Sequence, residues 1–267
     1  MAEHYPAPEG VDPTTPNVAR MYDYFLGGKD NFAADREAAD RMIAAFPHTR
    51  VEAQEGRAFL GRAVRFLVES GIRQIVDIGS GLPTQGNVHE IAHRTAPETR
   101  VVYVDYDPIV CVHARALMAK SDRVSVVQAD VRDPKALLSA VDAHIDFDRP
   151  VAFLLFAVLH FVGDQAKPYE VVATLRDASA PGSYLAVSHA FETRSPLNPE
   201  ALKIYRQATA ALSLRSREEI LGFFDGYELL QPGLVVPREW RPDADEPLFD
   251  ANPALPSIGL GGVGRKL

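Results

Sequence analysis

Gln74-Ile75-Val76-Asp77-Ile78-Gly79-Ser80-Gly81-Leu82-Pro83 reads as a short apolar strand that runs into a glycine loop. The run is short and rich in β-branched residues, which favours a buried strand over a helix. Gly79 and Gly81 allow left-handed backbone and close approach of the main chain to a ligand. A helix over roughly residues 87–94 follows. Strand, glycine loop and helix together form the context in which a nucleotide is bound; the plainer alternative is a tight turn with no ligand.

Outward from this loop the pattern repeats. Val101–Val104 is a second strand ending at Asp105, and Pro108 opens a helix that runs to about Lys120. Val124–Val127 is a third strand, ending at Asp130, with a helix over 134–141. Val151–Phe156 is wholly apolar, as a central parallel strand is, and a helix from about Asp164 to Ala178 leads to a fifth strand, Tyr184–Ser188. The alternation predicts a doubly wound, Rossmann-like α/β fold: a mostly parallel sheet with helices on both faces and a crevice at the carboxyl ends of the strands.

The flanks differ. Residues 1–16 are proline-rich and read as an extended arm. Asn17 is a helix N-cap; Val18, Tyr22 and Phe25 follow at helical spacing, and Gly27-Gly28 stops the helix. Asp35–Phe46 and Glu52–Ser70 read as two further helices, so residues 1–70 form an arm and helical cap on a core of residues 71–267, the two making one unit. Beyond the fifth strand come a helix near 198–212, another opened by Ser216, and strands at Tyr227–Leu230 and Ile258–Gly264. The proline-rich, acidic stretch Pro237–Pro256 reads as a surface excursion.

The chain has 267 residues, 28 Lys and Arg against 36 Asp and Glu, and a formal charge of -8. That acidity argues against a phosphate-binding face, so nucleic acid is not an expected partner. Cys111 is the one cysteine and no intrachain disulfide is possible, which fits a cytoplasmic setting. No signal peptide is visible, and the longest apolar run, Val151–Val162, interrupted by His160, is too short to span a bilayer, so no membrane partner is expected. The sequence leaves the oligomeric state open.

Two ligands compete for the glycine loop. A dinucleotide site asks for a third glycine or alanine where this chain has Thr84, preceded by Pro83. Asp77 stands two residues before Gly79, and a carboxylate there suits a cationic amino-acid moiety better than a diphosphate. That combination points to S-adenosyl-L-methionine, with its ammonium and its sulfonium. Asp105 is positioned to accept from ribose hydroxyls, and Asp130 from the exocyclic amine of adenine.

These residues carry a resemblance. The core resembles the class I S-adenosylmethionine-dependent methyltransferases. The whole chain resembles a bacterial S-adenosyl methyltransferase family first catalogued as a domain of unknown function. The matching segments are Asn17–Phe32, Asp77–Glu90 and Val102–Pro108. The resemblance implies a seven-stranded sheet with a final antiparallel strand. It implies that Asp77, Gly79 and Gly81 hold the methionine end, Asp105 the ribose and Asp130 the adenine. Pro83 departs from the glycine common in such enzymes. Ser80, Tyr106, Val131 and Phe156, beside the strand ends, complete the expected cofactor contacts.

Other features need weighing. His89-Glu90-Ile91-Ala92-His93 matches a zinc-protease pattern, but no third ligand follows at the required spacing, so no metal is expected. Gly27–Phe32 is either a helix stop and turn or a lid that brings Tyr22 and Phe32 near the sulfonium, where aromatic faces attract a cation. His160 and His189 follow the fourth and fifth strands; each is a candidate general base or a structural histidine. The expectation is direct methyl transfer to a small-molecule acceptor. The alternative is a catalytically silent cofactor-binding sensor or partner protein.

Overall fold

The computed structural model describes residues 12–83, 86–118, 121–191, 203–204, 208–210, 212–244 and 257–267. Its centre is a seven-stranded sheet. The strands are β1 (Gln74–Ile78), β2 (Arg100–Asp105), β3 (Val124–Gln128), β4 (Ala152–Phe156), β5 (Tyr184–Ala190), β6 (Tyr227–Leu229) and β7 (Gly259–Lys266), in spatial order β3-β2-β1-β4-β5-β7-β6. β1 to β5 pair in parallel, whereas β7 runs antiparallel to both β5 and β6. β1 has β2 on one side and β4 on the other, so strand order reverses there and a crevice opens at the carboxyl ends of these two strands.

The connecting helices are α4 (Val88–Thr95), α5 (Pro108–Met118), α6 (Pro134–Val141) and α7 (Pro168–Ala178). Strand side chains alternate between two apolar layers. Ile75, Val101 and Leu154 pack under α3 (Thr49–Glu69) and α4, while Val76, Val102 and Phe153 pack against α6 and α7. Burial on both faces explains why β4 is an unbroken apolar run and why β1 and β2 are apolar at most positions.

α1 (Val18–Phe25) and α2 (Ala33–Ala45) form a separate cluster through Met21, Phe25, Ala38, Ala39 and Met42, which meets α3 at Ala53. Asn17 starts α1 by accepting from the backbone N–H groups of Ala19 and Arg20 at 2.8 and 3.2 Å. α3 comes close to the sheet because β7 carries glycine: a Cβ on Gly261 would sit 2.3 Å from the Phe59 ring.

Two expectations are corrected. The helix expected from Asp164 is broken: a 3-10 turn covers Asp164–Ala166, Lys167 takes φ 51°, and α7 begins at Pro168. Proline disfavours the helical region for the residue before it and lacks an N–H, so the two turns cannot merge. The start of the supposed excursion is also packed, not draped. Trp240 is fully buried, and Arg62 donates to the carbonyls of Pro237 and Trp240 at 2.6 and 2.8 Å. Residues 245–256 of that stretch, Thr84, and most of the expected helix near 198–212 lie outside the described residues. After residue 212, Ser216 caps the short helix α8 (Arg217–Leu221) through a reciprocal bond with Glu219.

Candidate functional site

The glycine loop is fastened to the end of β2. Gly79 and Ser80 donate their N–H groups to the carbonyl of Val104 at 2.7 and 3.2 Å. Gly81 donates to the Asp105 carboxylate at 3.0 Å. Gly79 and Gly81 take φ values of 69° and 66°, and a Cβ on Gly79 would meet Val158 at 2.4 Å. Both positions therefore require glycine for conformation, and Gly79 for space as well.

Three strand ends place carboxylates around this loop. Asp77 is buried, and loss of solvation raises its carboxyl to about 7; Arg57 on α3 acts against the rise and Asp105 adds to it. Asp105 is raised to about 6, again chiefly by burial, although its oxygens accept from the N–H groups of Gly81 and Asp107. Asp130 lies lower than an ordinary carboxylate because Arg132 donates to it through both backbone and guanidinium. The same guanidinium stands 5.9 Å from the centre of the Tyr106 ring.

A roof covers the crevice. Asn17, at the head of α1, donates to Asp107 at 2.6 Å and receives no less support from behind: its own N–H donates to Asp35 at 2.8 Å. Asp35 also pairs with Arg20 at 2.7 Å and accepts from Phe32 N–H. The cavity beneath it has a volume of about 320 Å³ and is lined from Asp130 and Val131 at one end to Ile258 and Gly259 at the other.

Asp77, Gly79, Ser80, Gly81, Asp105, Tyr106, Asp130, Val131, Phe156 and Tyr22 all line this one cavity, together with His160 and His189. Tyr22 is held there by a 3.1 Å bond from its hydroxyl to the carbonyl of Ala53. Phe32 does not line it. The cation at its ring face is the guanidinium of Arg20, 5.1 Å from the ring centre. Arg20 is fixed there by Asp35, so the Phe32 half of the lid expectation is corrected.

The two histidines differ in what they can do. His189 places Nδ1 2.5 Å from the carbonyl of Ala190 and Nε2 3.0 Å from the Arg215 guanidinium. Nδ1 must donate and Nε2 must accept, so no lone pair is left to take a proton from an acceptor. Burial and Arg215 hold its imidazolium form down, to about 4. The expectation of His189 as a general base is corrected on that ground. His160 accepts from Ala190 N–H through Nδ1 at 3.1 Å, which puts its proton on Nε2. Burial, first, and then His189 and Arg215 keep it neutral. The neutral ring of His160, which is among the cavity's lining residues, thus has its lone pair committed to Ala190 and carries its proton on Nε2.

The histidine pair on α4 serves packing. His89 shares a 2.8 Å bond with the Tyr103 hydroxyl, and His93 shares one of the same length with the carbonyl of Thr99.

Arg57 and Glu52 were not singled out from the sequence, yet both line the cavity. Arg57 donates to the carbonyl of Gly86 at 3.1 Å, while its buried Nε, like Ser80 Oγ, has no hydrogen-bond partner among the described residues. Buried polar atoms without partners are rare, and two at one cavity indicate a ligand that supplies the missing bonds. A buried carboxylate at Asp77 beside the Arg57 cation can hold a zwitterionic amino-acid group. Asp105 and Asp130 add acceptors suited to a nucleoside. The donor set thus fits S-adenosylmethionine.

Comparison with known proteins agrees. The model of a family described as S-adenosyl methyltransferase matches residues 4–267. A crystal structure of a putative methyltransferase from Thermobifida fusca is 43% identical, with a TM-score of 0.86, over 97% of this chain and 98% of that one. A DUF574 family protein from Streptomyces avermitilis is 38% identical, with a TM-score of 0.87, over 96% and 99% of the two chains. Human N-acetylserotonin methyltransferase, solved in complex with SAM, shares the fold at 14% identity and a TM-score of 0.50, over 94% of this chain and 63% of that one. No curated protein matches. The chain belongs to the S-adenosyl methyltransferase family: it is a methyltransferase with S-adenosyl-L-methionine as its cofactor.

Proposed function

We propose that the protein transfers the methyl group directly to a small-molecule acceptor held in the same cavity as the cofactor. The observation that carries this reading is the breadth of the cavity. It reaches from the end of β3 to the start of β7, across five strand spacings, or roughly 24 Å at about 4.8 Å each. The carboxylates suited to the cofactor occupy the β1, β2 and β3 ends. The ends of β4 and β5 and the start of β7, with Phe156, Ser188 and Gly259, are left for a second molecule.

In this reading Asp77 takes the methionine ammonium, and Arg57 with Ser80 takes the carboxylate. Asp105 takes the ribose hydroxyls. Asp130 takes the adenine amine, with Tyr106 and Val131 beside the base. Tyr22 and Phe156 border the sulfonium. When bound, the cofactor supplies an electrophilic methyl carbon on a positive sulfur. The chain's task is then to align an acceptor atom behind that carbon and to exclude water, which supplies much of the rate. No base is required of His160 or His189.

A small acceptor is favoured by the roof of Tyr22, Phe25 and Met42 over the cavity, and by the charge of -8, which disfavours a polyanionic substrate. The test is incubation with methyl-labelled S-adenosylmethionine and a fractionated small-molecule extract, followed by mass spectrometry. The expected result is label in a low-mass product with matching S-adenosylhomocysteine. Label found only in protein or nucleic acid would overturn the reading.

A further inference from the structure

We propose that Glu52 is the acceptor-recognition carboxylate and that the acceptor is a largely apolar small molecule carrying a basic nitrogen. This rests on the methyl-transfer reading above and assigns the acceptor half of the cavity.

Glu52 lies on α3. Glu52, Gly56, Phe59 and Ala63 recur at helical spacing, so the glutamate stands on the stripe that faces the sheet. Glu52 and Arg57 are five residues apart, roughly 7.5 Å along the helix axis at about 1.5 Å per residue. One helix therefore presents a cation toward Asp77 and a carboxylate farther along the same cavity.

The surroundings of Glu52 are those of the acceptor side. Its carboxylate accepts from the Ser257 hydroxyl at 3.0 Å and from Ile258 N–H at 3.3 Å. Gly259 follows, at the start of β7, and a Cβ there would stand 3.2 Å from Glu52 Oε2. Phe25, Met42, Phe46, Ala53 and Phe156 supply the apolar wall of the cavity. The carboxylate is thus held in orientation within an apolar chamber.

Among the described residues Glu52 has no ion-pair partner within salt-bridge distance. Two carboxylates, Glu52 and Glu55, and the guanidinium of Arg238 face each other here, and His48 and the Arg62 guanidinium stand toward Glu55. Arg238 pairs with Glu55, at 3.4 Å. Burial raises the Glu52 carboxyl to about 7, with Glu55 adding to the rise and Ser257, Ile258 and Arg238 acting against it. A desolvated carboxylate beside a cavity is completed by a ligand that brings a cation with N–H donors. An apolar chamber with one such carboxylate selects an apolar amine over an alcohol or an acid.

The test uses the full chain saturated with S-adenosylhomocysteine. Phenethylamine and its uncharged counterpart 2-phenylethanol are titrated by calorimetry and by ligand-observed NMR. The amine is expected to bind roughly tenfold more tightly, the size of a charge-assisted hydrogen bond. In Glu52→Gln, whose amide oxygen still accepts from Ile258 N–H and whose NH2 can donate to the Ser257 hydroxyl, the preference is expected to vanish while affinity for S-adenosylhomocysteine stays within about twofold, since Glu52 stands apart from the cofactor carboxylates. Equal affinities for the two probes, binding of neither, or a preference that survives Glu52→Gln would overturn the assignment. So would an equal loss of S-adenosylhomocysteine affinity, because Glu52 would then serve the cofactor. Failure of the wild type to bind S-adenosylhomocysteine would instead strike the methyl-transfer reading itself.

Discussion

Asn17 Nδ2 donates to Asp107 Oδ2 at 2.6 Å, joining the head of α1 to the turn after β2 across 90 residues of sequence. Both groups are buried, and each is already committed. Asn17 Oδ1 caps α1, and Asp107 Oδ1 accepts from Ile109 N–H at the start of α5. Two residues earlier, Asp105 holds the glycine loop. The bond therefore ties the roof of the cavity to the strand end that carries Asp105.

Asn17→Ala removes a helix cap and leaves Asp107 with a buried oxygen unpaired. The expected loss of stability is about 1–3 kcal/mol. S-adenosylhomocysteine affinity should fall as well, because the roof loses its anchor. Asn17→Ser keeps a cap but cannot reach Asp107, so it should recover stability more than affinity. Urea unfolding and calorimetry on the two variants read these effects separately; equal recovery of both would show that the bond serves α1 alone.

The pH dependence of binding has a definite sign. Asp77 is raised to about 7 in the folded protein from an ordinary value of 3.8. The fold therefore binds protons that the unfolded chain has released, and the ligand-free protein should lose stability as pH rises across that window. An ammonium bound at Asp77 favours the ionised form, so cofactor affinity should rise from about pH 5.5 to about pH 8. Asp105, raised to about 6, contributes in the same direction over the lower part of the range. Titrations of S-adenosylhomocysteine at three pH values should show the rise, and Asp77→Asn should flatten most of it. Affinity that falls with pH would contradict a carboxylate–ammonium contact.

Arg57→Ala tests the carboxylate end alone. It should weaken S-adenosylhomocysteine by roughly tenfold or more, as expected for losing a charge-assisted bond. Methylthioadenosine, which lacks the amino-acid moiety, should bind the variant and the wild type alike. Equal losses for the two ligands would place Arg57 in the fold's support and not at the methionine.

Much of this architecture is written in local chemistry. Ile75, Val76 and Ile78 are apolar because β1 is covered on both faces, and Gly79 and Gly81 mark a left-handed turn under Val104. Asp77, Asp105 and Asp130 stood out because strand ends in a parallel sheet converge on one crevice. The missed residues lie on a helix with no motif. Yet Arg57 falls on the stripe with Leu60 and Val64, and Glu52 on the stripe with Phe59 and Ala63. A charged residue on the apolar face of a long helix was the signal available. Phe32 misled because nearness in sequence to α1 does not fix where a ring points; Arg20 and Asp35, several residues away on either side, decide that. The choice between base and structural histidine was not legible because Ala190, which bonds His160, and Arg215, which bonds His189, come from distant segments.

The most direct test is a calorimetric titration of S-adenosylhomocysteine into the wild type and Asp105→Ala. The account predicts one saturable site per chain, weakened roughly tenfold or more when the carboxylate that holds Gly81 and faces the ribose is removed. No binding to the wild type, or the same affinity in the variant, would contradict it.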